Sequence, residues 1–432
     1  MQVQTGKGSI SAMVVIAIWS LSLAVDLPGL AVTPIEGSFR SIFPDVTDFK
    51  IQLLTVLPNL VIIPFVLLSG KLSMTKHKIA IIGLGIIMYL AAGILYMLSS
   101  TMNELIILSC LLGAGCGLIL PFSTGLIADV FVGKFRMKQM GIISAIGNVA
   151  LVCATFVVGW FNIKENWHLP FLVYLIPAVS LVLLPFLKKI PQADYDNPDV
   201  KAADAAQAQK TVTATVTTVD ADGFSTSGQA VERGFYLGRT IWLLLAYFFF
   251  VFATSIPAYY LPNLMPVYGM SSGEVSTVTS IFYLAMFVIG LMLTPVLRAF
   301  RKASFIACIA ALLIGFAMLV FTKSMVMFVI AMIILGLGNG VAQPIFYDKA
   351  TEIVNSQKRA TLALAWLQVA NYIAISLVPV ITNFFGFITH TDINKVVIFP
   401  FWMILIMTAI VAVFVVIRRN HFVFGVHKQY YE

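Results

Sequence analysis

Twelve apolar runs of about 20 residues or more divide this chain, and each is long enough to cross roughly 30 Å of bilayer hydrocarbon as a helix. They fall near 11–34, 51–70, 79–98, 105–131, 139–161, 167–187, 240–262, 275–297, 303–322, 325–347, 361–388 and 397–417. No other feature narrows the fold so far, because backbone in hydrocarbon must satisfy its own polar groups. Composition agrees: 60% of the 432 residues are hydrophobic and 11% charged, where a soluble domain carries about 25% charged. The expected fold class is therefore an all-α membrane protein of twelve transmembrane helices. The first run is too long for a secretory leader, contains Asp26 and lacks a small-x-small cleavage pattern, so it reads as a span.

Basic residues set the expected orientation. With the N-terminus in the cytoplasm, the inner segments hold 22 of the 27 Lys and Arg, and the outer ones hold only Arg40, Lys50, Lys164, Lys323 and Lys395. An even number of spans then leaves both termini cytoplasmic, and the net charge of +8 is a topology signal that needs no nucleic acid to explain it. Cys110, Cys116, Cys153 and Cys308 all lie within spans and form no CxxC pair, so they read as packing residues without a metal or disulfide role. The chain has no N-x-S/T sequon, which favours a bacterial inner membrane.

A repeat organises the spans. Shifted by 223 positions, LGAGCGLILP at 112–121 lies over LGLGNGVAQP at 335–344, matching Gly113, Gly115, Gly117 and Pro121 with Gly336, Gly338, Gly340 and Pro344. The same register sets Asp129 over Glu352 and Arg136 over Arg359, and a shift of 225 sets Leu72 over Leu297 and Lys76 over Arg301. The fourth and tenth spans are thus equivalent elements of two halves with the same orientation, related by a pseudo-two-fold axis along the membrane normal. Glycines four apart let helix backbones approach closely. The halves are expected at 1–187 and 239–432, joined by a flexible cytoplasmic linker over 188–238, rich in Ala, Thr, Asp and Gln.

Six plus six spans, a long middle loop, basic 2–3 and 8–9 loops and paired glycine-rich spans resemble the major facilitator superfamily along nearly the whole chain. The short motifs of that family are partly present. Its loop pattern G-x-L-A-D-R-x-G-R-R appears as GKLSMTKHK, keeping Gly70, Leu72 and Lys78 with Met74 in place of the acid, and its antiporter pattern G-P-x-x-G-G appears as ATFVVG, keeping Gly159. The resemblance implies a secondary transporter that rocks two halves about a central site. The antiporter motif gives no support for direction.

No G-x-x-x-x-G-K or H-E-x-x-H occurs, so neither an ATP-driven pump nor a metalloprotease of that type is indicated; no enzyme activity and no cofactor are expected. An ionisable side chain inside a span costs about 2.5–3.5 kcal/mol even on the insertion scale. Asp26 is the deepest, and with no histidine near the midplane it is the candidate for proton coupling. A helix-break residue beside Pro28 is the structural alternative. Asn339, Gln343 and Tyr347 recur at i, i+4 and i+8 on one face of the tenth span. Their fourth-span counterparts are Cys116, Leu120 and Thr124, so the stripe belongs to one half and reads as a substrate-binding candidate against interhelical bonding. Asn59, Asn148, Gln368, Asn371, Tyr247 and Tyr259 are weaker candidates. The pairs Asp129/Arg136 and Glu352/Arg359, at the cytoplasmic ends of equivalent spans, read as gate salt bridges resembling the family's charge pairs, with Asp348 and Lys349 joining them. No Arg or Lys lies near the midplane, which disfavours phosphate esters and dicarboxylates. The expected partners are a small-molecule substrate, protons or another coupling ion, and the lipid bilayer, with the chain a monomer. The expected function is proton-coupled export of neutral or cationic amphipathic compounds. A proton-coupled importer of a neutral nutrient such as a sugar is the alternative, and a membrane sensor or intramembrane enzyme is the rival of another class.

Overall fold

The computed structural model describes residues 2–6, 8–25, 27–30, 42–46, 48–73, 77–160, 167–190, 237–353, 360–391 and 396–426. Among them are twelve helical segments long and apolar enough to span a membrane, numbered here in chain order. Spans 1 to 6 are Ala12–Gly29, Leu53–Leu72, Lys78–Leu98, Met102–Val130, Gly133–Phe156 and Leu169–Leu187. Spans 7 to 12 are Gly238–Val267, Gly273–Leu291, Leu293–Phe321, Met325–Glu352, Ala360–Ile388 and Phe399–Ile417. Asp26, Arg359 and most of the expected linker (191–236) lie outside the described residues.

The paired glycines show how each half is built. In span 4, a Cβ on Gly113 would lie 2.6 Å from the Pro58 carbonyl oxygen and one on Gly117 2.7 Å from that of Ile62, both in span 2. Gly115 faces the other way, where a Cβ would lie 2.7 Å from the Tyr89 nitrogen of span 3. Span 10 repeats the arrangement. Gly336 and Gly340 would meet the Phe282 and Met286 carbonyls of span 8 at 2.5 and 2.9 Å, and Gly338 the Cys308 carbonyl of span 9 at 3.2 Å. Each central helix is thus clamped backbone to backbone between two neighbours, as close approach in lipid requires. Two spans also begin with reciprocal caps, Thr101 with Glu104 in span 4 and Ser271 with Glu274 ahead of span 8.

Span 1 is broken. An α-helix Ala12–Ser20 passes into a 3₁₀ turn Leu21–Ala24, Val25 is extended (ψ 138°), and a short helix Leu27–Leu30 follows. Neighbouring side chains bond to carbonyls along this segment: Ser180 Oγ donates to Ser20 O (2.7 Å), Cys116 Sγ to Ala24 O (3.3 Å) and Tyr174 OH to Pro28 O (3.4 Å).

The halves meet along two seams, span 5 against span 8 and span 2 against span 11. Their tightest points lie toward the end of the bundle that carries Lys71, Lys78, Lys188, Arg239 and Arg298, called here the basic end. There, a Cβ on Gly141 would lie 2.7 Å from the Gly290 carbonyl oxygen, and one on Gly290 3.0 Å from that of Gly141. Gly70 would meet Ala365 Cβ at 2.6 Å. At the same end a hairpin of β1 (Gln2–Gln4) and β2 (Ser9–Ser11) docks on the turn between spans 4 and 5, where Val132 N–H donates to Thr5 O at 3.1 Å.

Candidate functional site

Where the seams meet at the bundle centre, a cavity is lined from both halves. Ser22 and Val25 enter from the break in span 1, Ser123 and Thr124 from span 4, and Ser144 and Asn148 from span 5. Gln343 and Tyr347 of span 10 and Gln368 of span 11 close the other side. Its volume is about 30 Å³, room for about two waters at roughly 10–15 Å³ each.

One hydrogen-bonded chain crosses it. Ser144 Oγ donates to Gln343 Oε1 (2.9 Å), and Gln343 Nε2 donates to the Tyr347 hydroxyl (3.0 Å). Gln368 Nε2 reaches the same hydroxyl at 3.5 Å. Tyr247 lies 3.5 Å from Tyr347 and donates to Asn371 Oδ1 at 3.3 Å. Ser144 belongs to one half and the remaining members to the other, so rocking the halves apart must break the Ser144–Gln343 link. No Asp, Glu, Lys or Arg stands among the described lining residues.

The expected candidates divide accordingly. Asn148, Gln343, Tyr347 and Gln368 line the cavity, and Tyr247 and Asn371 support it from behind. Asn339 is buried one turn beyond Gln343 and does not line it. Asn59 donates to Thr55 O of its own helix (2.9 Å) and packs on Gly29, where a Cβ would lie 2.6 Å from its Nδ2. Tyr259 is half-buried and outside the lining. The hydroxyls of Ser22, Ser123, Thr124 and Ser144 were not singled out from sequence as site residues. Ser144 could have been found, since it sits four residues before Asn148 on the same helical face.

At the basic end, Arg136 Nε holds Asp348 Oδ1 at 2.5 Å across the halves, and its Nη2 lies 4.0 Å from Glu352 Oε1. The Asp348 side chain has no exposure to solvent. The expected pairing of Asp129 with Arg136 is corrected: Asp129 binds Lys78 within its own half at 3.0 Å. Span 4 ends at Val130 and span 5 starts at Gly133, whose φ of +54° turns the chain, so the seven-residue spacing is not two turns of one helix. Lys349, almost fully buried, donates to the Phe422 carbonyl and lies 4.6 Å above that ring, with Arg239 5.1 Å from the same ring.

Comparison with known proteins adds three findings. The Major Facilitator Superfamily profile matches residues 9–379 and, in a second match, 243–423. Multidrug transporter protein MdtP of Bacillus subtilis is 32% identical over 116 residues, covering 27% of this chain and 21% of the relative. Multidrug resistance protein 3 of the same organism is 25% identical over 186 residues, 43% of this chain and 36% of the relative. The chain thus spans about a fifth and about a third of these curated relatives. Among solved structures, the proton:xylose symporter XylE bound to 6-bromo-6-deoxy-D-glucose aligns with a TM-score of 0.68 at 15% identity, covering 93% of this chain and 94% of that one. The human organic anion transporter MFSD10 aligns at 0.61 and 15% identity, covering 91% and 97%. At such identities these structures speak for the fold alone.

Proposed function

This chain belongs to the Major Facilitator Superfamily, a family of membrane transporters, and from that premise we propose that it is a proton-coupled exporter of neutral or cationic amphipathic small molecules. The observation that carries the reading is the Ser144–Gln343–Tyr347 chain at a cavity built from both halves. A site made by two bodies that rock against each other can be exposed to either face in turn. The Bacillus multidrug transporters support export. The absence of a lysine or arginine among the described lining residues supports cargo other than compact anions. The uncharged lining together with the likeness to a xylose symporter supports the second reading, import of a neutral nutrient.

In this reading the basic end faces the cytoplasm of a bacterial inner membrane, following the excess of Lys and Arg there. Asp26 carries the proton. Its chain neighbour Val25 is extended and lines the cavity, which supports that assignment. Arg136, Asp348 and Glu352 form the cytoplasmic gate, with Lys349 anchoring the C-terminal segment beneath it.

The test is flux in cells expressing the protein, with ethidium loaded for export and labelled methyl glucoside supplied for import. We expect ethidium extrusion that collapses with a protonophore and in Asp26→Asn, while the amount of folded protein stays the same. Glucoside uptake under the same control would establish the second reading in its place. Full gradient-driven flux by Asp26→Asn would remove that residue from coupling.

A further inference from the structure

The central cavity contains hydrogen-bonding atoms that the protein leaves unused. The Thr124 hydroxyl is buried and has no hydrogen-bond partner. The cause is local: a helical threonine normally returns its hydroxyl to the carbonyl four residues back, and here Ser123 Oγ already donates to Leu120 O at 2.8 Å. Asn148 gives an amide hydrogen to Ser144 O (2.8 Å), and Gln368 gives one to Tyr347. Among the described residues nothing donates to either carboxamide oxygen. All three side chains line the cavity and are at least nine-tenths buried.

Carboxamide oxygens only accept, and a hydroxyl either donates or accepts. We infer that this cavity selects cargo by its hydrogen-bond donors, taking solutes with at least two O–H or N–H groups, either polyols or primary ammonium compounds, and rejecting donor-free lipophilic cations. The inference rests on the transport reading above and narrows it. A donor-bearing cargo satisfies Asn148 and Gln368 from opposite halves at once, whereas a fully alkylated one leaves both oxygens buried without partners. Sites that hydrogen-bond a substrate discriminate strongly against analogues lacking the group, because the site's own polar atoms are stranded.

The test uses the full-length protein in lipid nanodiscs and matched probes. One pair is methyl glucoside and its tetra-O-methyl ether; the other is 2-phenylethylammonium and its N,N,N-trimethyl derivative. At least one donor-bearing probe should raise the unfolding midpoint saturably while its methylated partner does not; which pair responds tells polyol from ammonium. Thr124→Val keeps volume and removes the lone hydroxyl. It should raise the midpoint of the empty protein and weaken the apparent Kd of the responding probe about three- to ten-fold. Ser376→Ala removes another unpartnered buried hydroxyl, outside the cavity lining, and should leave that Kd unchanged. Equal shifts by the methylated probes, no shift by either donor-bearing probe, or an unaltered Kd in Thr124→Val would overturn donor recognition. Flux with such results leaves transport standing, and loss of flux in the cell assay overturns transport itself.

Discussion

Arg136→Gln should swing the two halves open at the basic end. The substitution leaves the Asp348 carboxylate fully buried without the guanidinium that now holds it at 2.5 Å, and it removes the cation near Glu352. Removing one member of a buried ion pair costs about 3–5 kcal/mol. Because Arg136 retains some exposure we take the lower end, which is more than a hundred-fold in a two-state equilibrium. The cost falls on the closed state alone, since opening lets water reach Asp348. A cysteine introduced at Ala365, under the seam at Gly70, should then react with a water-soluble maleimide far faster than in the parent protein. Adding Asp348→Asn removes the buried charge and should return most of the protection. If the single and double variants react alike, the ion pair does not hold the gate.

Gly141→Leu should have an effect of comparable size by sterics. A Cβ at Gly141 would sit 2.7 Å from the Gly290 carbonyl oxygen and 2.9 Å from Leu293 Cδ2, so the first carbon already collides with backbone that cannot rotate away. Spans 5 and 8 must separate to admit it, and the variant should express, insert and stay open at the basic end with flux abolished. Gly238→Leu is the matched control, because a Cβ there meets nothing within 4 Å. Normal flux through Gly141→Leu would show that the glycine contact is incidental to closure.

How much of this could be read from the chain depended on the range of the forces involved. The twelve spans were legible because 20-residue apolar runs are local. The paired span architecture was legible because Gly113, Gly115 and Gly117 answer to Gly336, Gly338 and Gly340 at one fixed shift. The structure gives those glycines the same task in both halves. Mid-span amides led to three of the residues in the cavity wall, since Asn148, Gln343 and Gln368 are too costly in lipid to be idle. The amide rule also led to Asn59, which packs against the Gly29 turn, and to Asn339, which lies outside the cavity. Serines and threonines gave no such signal. Most bond back to their own helix, and only tertiary placement distinguishes Thr124, whose acceptor Ser123 has taken. The charges at the basic end were legible as a cluster and illegible as a pairing, because Gly133 redirects span 5 and sends Arg136 to the opposite half.

The claim on which the rest depends is that the two halves move as bodies about the central cavity. Spin-label distances in nanodiscs test it directly, with one pair on exposed Lys138 and Arg298 at the basic end and another on exposed Asn103 and Ser324 at the opposite end. Each pair joins the two halves. Lowering the pH to protonate acidic side chains should lengthen one pair as it shortens the other, and Arg136→Gln should lengthen Lys138–Arg298 under all conditions. Two distance distributions that stay fixed, or that lengthen together, would contradict alternation of the halves.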